Sequence, residues 1–470
     1  MKVCLAVHGY PPELVGGTES ATRALAHGLV HHGHEVVVVA GTLRHEQGFR
    51  RSLENDEASG RAIRVHKIHR ADLYFDHWQK SASARASLAF RDILREERPD
   101  LVHVQHWIRL SRDLVQRATR EGIPSVVTLH DLWTTCLVTF RVKPESGEFC
   151  EAQLGPSPCI RCAAQVPPRT PWLSYEAQGV ALLERSADLA RELELARAVL
   201  APTRAHAEAV ARYLGLASAR MNVRVVPHGR DLALRPRAPL PPPSATQKLV
   251  LGAWGHLYRL KGFDRVLRAL RMLPDPARVE LHVAGGEPEA AFAREVHELA
   301  AGLDVRFHGP YDAQALDRHL VGRVHAFVSG TLAHESWGLV LDEAVALRLP
   351  LVLPRRGAYA ERLREGHGAF FYAPGSEREL ASVLERLLAE PALLPALQAS
   401  LPAARDFTPS TEDYVRAHHG IYEEARAAGA PAVRAVPERE RIWQATEDAW
   451  GRELPRRTAE ELGFPVAPPP

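Results

Sequence analysis

Arg235-Pro236-Arg237-Ala238-Pro239-Leu240-Pro241-Pro242-Pro243-Ser244 divides this sequence into two halves of the same pattern. Each proline lacks an amide donor and fixes its backbone, so the stretch continues neither helix nor sheet and is a linker. Before it, short Val-rich runs alternate with helical stretches. Strands are expected at 3–7, 35–40, 63–68, 101–105, 125–129, 198–201 and 223–226. Helices such as Thr18 to His32 and Thr203 to Leu214 lie between them. After the linker the alternation restarts, at 249–253, 279–284, 305–307, 324–328, 351–353 and 369–372. Continuous apolar runs mark parallel strands covered on both faces. Their alternation with helices implies βαβ units. The expected class is α/β, with two doubly wound domains rather than three equal ones. Ligands of such sheets bind beyond the carboxyl ends of the strands, so a cleft between the domains is the expected site.

The expected boundaries follow. The first domain is 1–235, with a Cys-rich insertion at about 134–170. The linker is 236–247, the second domain 248–407, a helix 408–428, and a tail 429–470 that ends in Pro468-Pro469-Pro470.

Composition excludes several classes. Of 470 residues, 46% are hydrophobic and 25% charged, ordinary values for a globular chain. Lys plus Arg is 59 against 57 for Asp plus Glu, so no broad basic field points to nucleic acid. The lysines are Lys2, Lys67, Lys80, Lys143, Lys248 and Lys261 alone; nearly all the positive charge is Arg. Met1 to Gly9 is too short and too soon broken for a signal peptide, and no apolar stretch has the length of a spanning helix. A cytoplasmic protein is expected, with peripheral contact at the inner membrane face left open. Four of the five cysteines fall between Cys136 and Cys162.

Three motifs carry chemistry. Gly16-Gly17-Thr18-Glu19 opens the first long helix after strand one. Glycines there let backbone approach a ligand, and a helix start offers amides to an anion; a turn capped by Thr18 is the plainer alternative. The dinucleotide fingerprint G-x-G-x-x-G is absent, which weakens a nicotinamide reading. Gly255-His256-Leu257-Tyr258-Arg259-Leu260-Lys261-Gly262 follows the first strand of the second domain. Lys261 there is a compact cation for a phosphate, or an exposed lysine at a helix start. The third motif, His334-Glu335-Ser336-Trp337-Gly338-Leu339-Val340-Leu341-Asp342-Glu343-Ala344, separates two carboxylates as E-x7-E. The amides of Gly338, Leu339 and Val340 fall at a helix start, electropositive. One segment so supplies an anion hole and two acceptors for hydroxyls. Acids favoured by a helix N-terminus would explain Asp342 or Glu343, but not the polar loop ahead of a glycine.

This ordered set, together with Leu129-His130-Asp131, resembles the retaining glycosyltransferases of the GT-B fold, particularly family 4. The likeness covers about residues 1 to 428. It implies two Rossmann-like domains facing across a cleft, the last helix crossing back onto the first domain. It implies that Lys261 holds the donor diphosphate, Glu343 the ribose hydroxyls and Glu335 the donor sugar. Gly338, Leu339 and Val340 would meet phosphate and sugar, Gly309 and Tyr311 would lie where the base binds, and His130 near the reacting carbon. Gly16 and Gly17 complete the donor-binding set. The family often has Arg directly after the first glycine of G-x5-K-G, where this chain has His256. His256 could donate a hydrogen bond instead, or Arg259 could reach in. The donor would be a UDP- or GDP-sugar, the acceptor a glycan, a lipid-linked or a small molecule. No D-x-D motif occurs, so metal-independent chemistry without a required cofactor is expected. Glu335, His130 and Lys261 are the expected catalytic residues, with no general base assigned. Two rivals share the motifs: an NDP-sugar 2-epimerase, needing no acceptor, and a sugar-nucleotide-binding scaffold without turnover.

The cysteines are spaced Cys136-x13-Cys150-x8-Cys159-x2-Cys162. In a reducing compartment this suits a structural Cys4 zinc site more than disulfides. An iron–sulfur cluster or unligated thiols are the alternatives. Leu73 to Lys80 is an aromatic patch, expected to pack on the sheet or else to touch an acceptor or a lipid surface.

Overall fold

A computed structural model describes the chain apart from residues 44–47, 59, 71–76, 145, 164, 166–173, 216–219, 235, 237, 239, 245, 313–315, 317–322 and 433–470. The expected tail, and Leu73 to Asp76 of the aromatic patch, thus lie largely or wholly outside the described residues. The chain forms two compact units. The first comprises Met1–Thr139, Glu151–Gly229 and Thr411 onward; the second comprises Phe140–Cys150 and Arg230–Ser410.

The first unit contains strands β1 (Lys2–Val7), β2 (Glu35–Gly41), β3 (Arg50–Ala58), β4 (Arg61–His69), β5 (Leu101–Val104), β6 (Ser125–Thr128), β7 (Ala198–Ala201) and β8 (Val223–Val225). Its helices are α1 (Gly17–His31), α2 (Ala84–Glu97), α3 (Leu114–Arg120), α4 (Pro156–Ala163), α5 (Tyr175–Leu195) and α6 (Arg204–Leu214). The sheet order is β3-β4-β2-β1-β5-β6-β7-β8. All pairs are parallel except β3 with β4. The order runs outward both ways from β1, so β1 and β5 flank the topological switch where such sheets bind ligands. Strand β3, Arg-Arg-Ser-Leu-Glu-Asn-Asp-Glu-Ala, is absent from the sequence reading. It is a largely exposed edge strand and needs no apolar run, so hydrophobic pattern does not betray it.

The second unit contains β9 (Leu249–Trp254), α7 (Phe263–Arg271), β10 (Val279–Ala284), α8 (Ala290–Ala300), β11 (Asp304–Phe307), β12 (Ala326–Val328), α9 (Leu339–Ala346), β13 (Leu351–Pro354), α10 (Gly357–Arg362), β14 (Arg364–Glu365), β15 (Gly368–Tyr372), α11 (Glu377–Ala389), α12 (Leu393–Ala399) and α13 (Ala404–Phe407). Its sheet order is β11-β10-β9-β12-β13-β15-β14, all parallel. Leu249, Leu251 and Ala253 face one core with Phe263, Val266 and Leu270 of α7. Trp254, Phe327 and Leu351 enter the other with Leu341 and Val345 of α9. Burial on both faces is why these strands appear as apolar runs.

The chain then returns to the first unit as α14 (Thr411–Ala428). Tyr414, Val415, Ile421, Tyr422 and Ala425 enter the core of β1, β2 and α1. The approach of α14 to α1 is close: a Cβ on Gly28 would lie 2.4 Å from Val415 Cγ2. Tyr422 Oη also meets the fully buried His103 Nδ1 at 2.6 Å.

Candidate active site

The second unit gathers the third motif onto the second. Strand β9 ends at Trp254, and the chain turns through Gly255 to a short 3-10 turn, Arg259–Lys261. Gly262 then starts α7 with φ +66°. Its conformation and its space both require glycine: a Cβ would lie 1.9 Å from the Gly330 carbonyl oxygen. The converse holds at Gly330, whose Cβ would lie 2.0 Å from the Gly262 carbonyl oxygen. The loop after β12 therefore lies directly against the Lys261 loop, also tied by the Leu332 amide donating to the Leu260 carbonyl at 2.9 Å.

This contact brings Lys261 Nζ to 2.8 Å from Glu335 Oε1. The Thr331 hydroxyl donates to the same oxygen at 3.0 Å. Lys261 remains 40% exposed, so its charge is available to a ligand. Gly338, at φ +80°, precedes α9 with no side-chain cap. The first amides of this helix have no preceding turn to bond and carry its positive pole. A cation, a carboxylate and an electropositive helix start thus share one edge of the sheet, at the carboxyl ends of β9 and β12.

Glu343 sits one turn deeper. Its Oε2 accepts from Trp254 Nε1 at 2.9 Å and Tyr311 Oη at 3.3 Å, and its Oε1 pairs with Arg230 at 2.8 Å. It is only 2% exposed. Burial raises its pKa, opposed by Arg230 and the Trp254 hydrogen bond. Sequence reasoning placed Tyr311 near the base and Glu343 near the ribose; the structure joins them by a hydrogen bond. It had no signal for Arg230 or Trp254, which reach Glu343 only through the fold. The neighbouring Asp342 belongs to a different set. Asp342 Oδ1 pairs with Arg362 at 2.6 Å, and its Oδ2 accepts from Trp337 Nε1 at 2.8 Å. The Arg362 guanidinium stacks between Trp337 at 3.5 Å and Phe407 at 4.0 Å.

His256 and Arg259 have these surroundings. His256 is exposed, its ring edge-on to Tyr258 at 5.9 Å. Arg259 reaches toward α8, pairing with Glu295 at 2.5 Å over the Phe292 ring. Gly309, at φ +70°, accepts from the Gly285 amide at 2.7 Å and so ties the loops after β10 and β11.

The first unit has its own polar cluster at the carboxyl ends of β1, β5 and β6. Gly16 rather than Thr18 is the residue before α1, and Gly17 opens the helix. A Cβ on Gly16 would lie 2.7 Å from Glu19 Oε2, so that glycine leaves room for the carboxylate. Glu19 is 3% exposed and pairs with His8 at 2.7 Å. Burial pushes Glu19 up, but the hydrogen bond and charge of His8 outweigh it and hold its pKa low. The His8 ring meets His106 at 4.4 Å, and His106 meets Asp131 at 3.3 Å. His130 is buried, bonds Gln105 Oε1 at 2.6 Å and stacks on His228 at 5.3 Å. Burial, then the neighbouring histidines, push its pKa well below the usual range, so it is a neutral imidazole. Glu19 and Asp131 were already in the quoted motifs; His8, His106 and Gln105 were not.

Among the cysteines, Cys159 and Cys162 lie three residues apart on α4, hence on one face. Cys136 follows the turn Trp133–Thr135, and Cys150 belongs to the second unit. None of them forms a disulfide. Among the described residues, no three His, Cys, Asp or Glu side chains are gathered closely enough to hold a metal ion. One neighbour nonetheless suits thiolates. Arg185 is fully buried, with its guanidinium 4.3 Å from the Trp133 ring and hydrogen-bonded to the Trp133 carbonyl. Among the described residues, its Nε and Nη1 have no hydrogen-bond partner. Burial, then Arg112, lower its pKa to about 9, while Cys136 and Cys159 oppose that shift. Lys80's neighbour Trp78 is buried with Leu137, Ala163 and Leu182, so the described end of the aromatic patch is core.

No helix among the described residues is long and apolar enough to cross a membrane. Residues 15–234 match the model of Glycosyltransferase Family 4, and residues 239–401 that of Glycosyl transferases group 1. A D-inositol 3-phosphate glycosyltransferase of Streptomyces bingchenggensis is 30% identical over 177 residues, 35% of this chain and 37% of that protein. A lipopolysaccharide core biosynthesis mannosyltransferase of Rhizobium leguminosarum bv. viciae is 28% identical over 221 residues, 44% of this chain and 58% of that protein. The chain thus matches only part of the length of these curated relatives. Among solved structures, sucrose-phosphate synthase from Thermosynechococcus elongatus has a TM-score of 0.63 at 18% identity, covering 91% of this chain and 100% of that one. An Anabaena protein solved with UDP and glucose has a TM-score of 0.59 at 16% identity, covering 90% and 100%. At such identities the likeness is one of fold, and that fold is GT-B.

Proposed function

For a chain that belongs to the family 4 and group 1 glycosyltransferases, we propose transfer of a sugar from a nucleotide-sugar donor to a hydroxyl acceptor, with retention. The observation that carries this reading is the Lys261–Glu335 contact at the mouth of α9. Departure of a nucleoside diphosphate leaves negative charge on a phosphate oxygen. Lys261 and the amides of Gly338, Leu339 and Val340 neutralise it as it develops, which lowers the barrier. Glu335 accepts hydroxyls of the donor sugar, and Glu343 those of the ribose. The leaving phosphate takes the acceptor proton on the same face, so no side chain serves as base. His130, neutral and donating through Nε2 to Gln105 Oε1, acts near the reacting carbon as a hydrogen-bond acceptor through Nδ1. The acceptor is a glycan, a lipid-linked or a small molecule, bound by the polar cluster of the first unit. The UDP complex among the structural relatives supports a nucleotide-sugar donor.

The cysteines of the insertion are proposed to hold a structural zinc. The C-x2-C spacing on α4 and the unpartnered Arg185 nitrogens support this, since a thiolate cluster carries the anionic charge that this guanidinium lacks. No chemical step passes through the metal. Elemental analysis of the purified protein, with Cys159→Ser as control, expects stoichiometric zinc; iron or no metal overturns it.

A panel of UDP- and GDP-sugars tests the function. Slow release of free nucleotide, lost in Lys261→Ala and Glu335→Ala, is expected. A folded protein that binds none of the panel sinks the reading. A new sugar nucleotide formed from donor alone would instead identify an epimerase.

A further inference from the structure

The hairpin within the Cys-rich insertion groups with the second unit, not with its flanking residues. Val142 pairs with Phe149 in an isolated antiparallel bridge, and the Cys150 amide donates to the Arg141 carbonyl at 2.6 Å. Arg141 is 2% exposed, and its Nε donates back to the Cys150 carbonyl at 2.9 Å. The hairpin is therefore braced by its own backbone. At its far end a Cβ on Gly147 would sit 3.5 Å from Arg265 of α7.

Phe149 is what this hairpin presents. Its ring stacks on His334 at 6.3 Å and 29°, and the Arg356 guanidinium lies 4.3 Å from its centroid. Both partners bracket Glu335. His334 precedes it in sequence. Arg356 Nη1 donates to the Leu332 carbonyl at 3.1 Å, and the next residues cradle the same turn. The Ala358 amide donates to the Glu335 carbonyl at 2.9 Å. A Cβ on Gly357 would lie 2.6 Å from that carbonyl oxygen.

We propose that Phe149 is a positioning residue for Glu335, so that the hairpin Phe140–Cys150 forms a working part of the donor site. This rests on the glycosyltransferase reading above. A turn held by a close glycine and polar contacts alone is free to shift; an aromatic face packed on both His334 and Arg356 restrains it. Sub-ångström placement matters here, because a shift of about 1 Å at a reacting group costs on the order of a hundredfold in rate.

The test compares Phe149→Ala, Phe149→Tyr and Glu335→Ala in the full chain. Two readouts are used: turnover of the sugar nucleotide that the wild type accepts, and amide hydrogen exchange over 334–338. Phe149→Ala is expected to lower kcat by about ten- to a hundredfold, with UDP affinity unchanged and exchange in that turn accelerated. Phe149→Tyr, which keeps the ring, is expected to restore both. Wild-type kcat or unchanged exchange in Phe149→Ala overturns the proposal, while the glycosyltransferase reading stands if Glu335→Ala is inactive. A wild type that turns over no sugar nucleotide fails that reading instead, and the exchange readout still reports whether Phe149 holds the turn.

Discussion

Lys261 and Glu335 face each other at 2.8 Å across 74 residues of sequence. Their pairing is half exposed on the lysine side, and an ion pair of that kind contributes below about 1 kcal/mol to stability. Its worth is instead the placement of a cation beside an acid at the start of α9.

Lys261→Ala is therefore expected to leave the thermal midpoint nearly unchanged. Its effect falls on turnover, which drops by about 10²–10³-fold if the lysine stabilises the leaving diphosphate. Nucleotide release under saturating sugar nucleotide, set beside a thermal melt, separates the two. A large fall in stability with little loss of turnover would contradict this division.

The reciprocal contact of Gly262 with Gly330 yields a second expectation. Either glycine changed to alanine drives a Cβ into backbone, and at Gly262 also strains a positive φ. Each variant is expected to lose at least about 2 kcal/mol in chemical denaturation. Because both changes open the same contact, the double variant should cost less than the sum.

Asp342 and Arg362 are a buried pair, with side-chain exposures of 0% and 7%. Removing one partner leaves an uncompensated charge, so Asp342→Ala is expected to cost about 3–5 kcal/mol. Glu343→Gln keeps its neighbour's pair intact and should cost less. Equilibrium unfolding of the two variants checks the ordering, which shows the two adjacent acids to have separate duties.

His418 sets an expectation for pH. It is fully buried on α14, its Nδ1 bonded to the Tyr414 carbonyl at 2.8 Å. Burial lowers its pKa to about 4 from 6.5. The unfolded chain thus binds the proton first on acidification. Stability from this group is intact above pH about 6.5 and falls by up to about 3 kcal/mol as pH drops toward 4. Denaturation of wild type and His418→Phe across that window is the check. The wild type should lose more, and parallel curves would contradict the expectation.

Much of the fold was legible because parallel strands buried on both faces leave continuous apolar runs. Val279–Ala284 and Ala198–Ala201 are read from sequence to the residue. Strand β3 was not, because an exposed edge strand carries charges like a loop. The motif residues were legible as well, since a helix start after a glycine, with acids spaced around it, is a local pattern. Their partners were not: Trp254 from the end of β9, and Arg230 and Thr331 from loops, reach Glu343 and Glu335 through the fold, and nothing local marks them.

The sequence by itself determined two α/β halves, a linker, the chemical kinds of residue at the donor site and a cysteine cluster. These follow from periodicity and spacing, which are properties of neighbouring residues. Only the tertiary structure decided that Lys261 meets Glu335, that Arg259 pairs with Glu295, and that the 140–150 hairpin leaves its flanks to cover His334 and Arg356. Such pairings depend on where backbones can approach, as at Gly262 and Gly330, and that distance is set by the packing of whole elements.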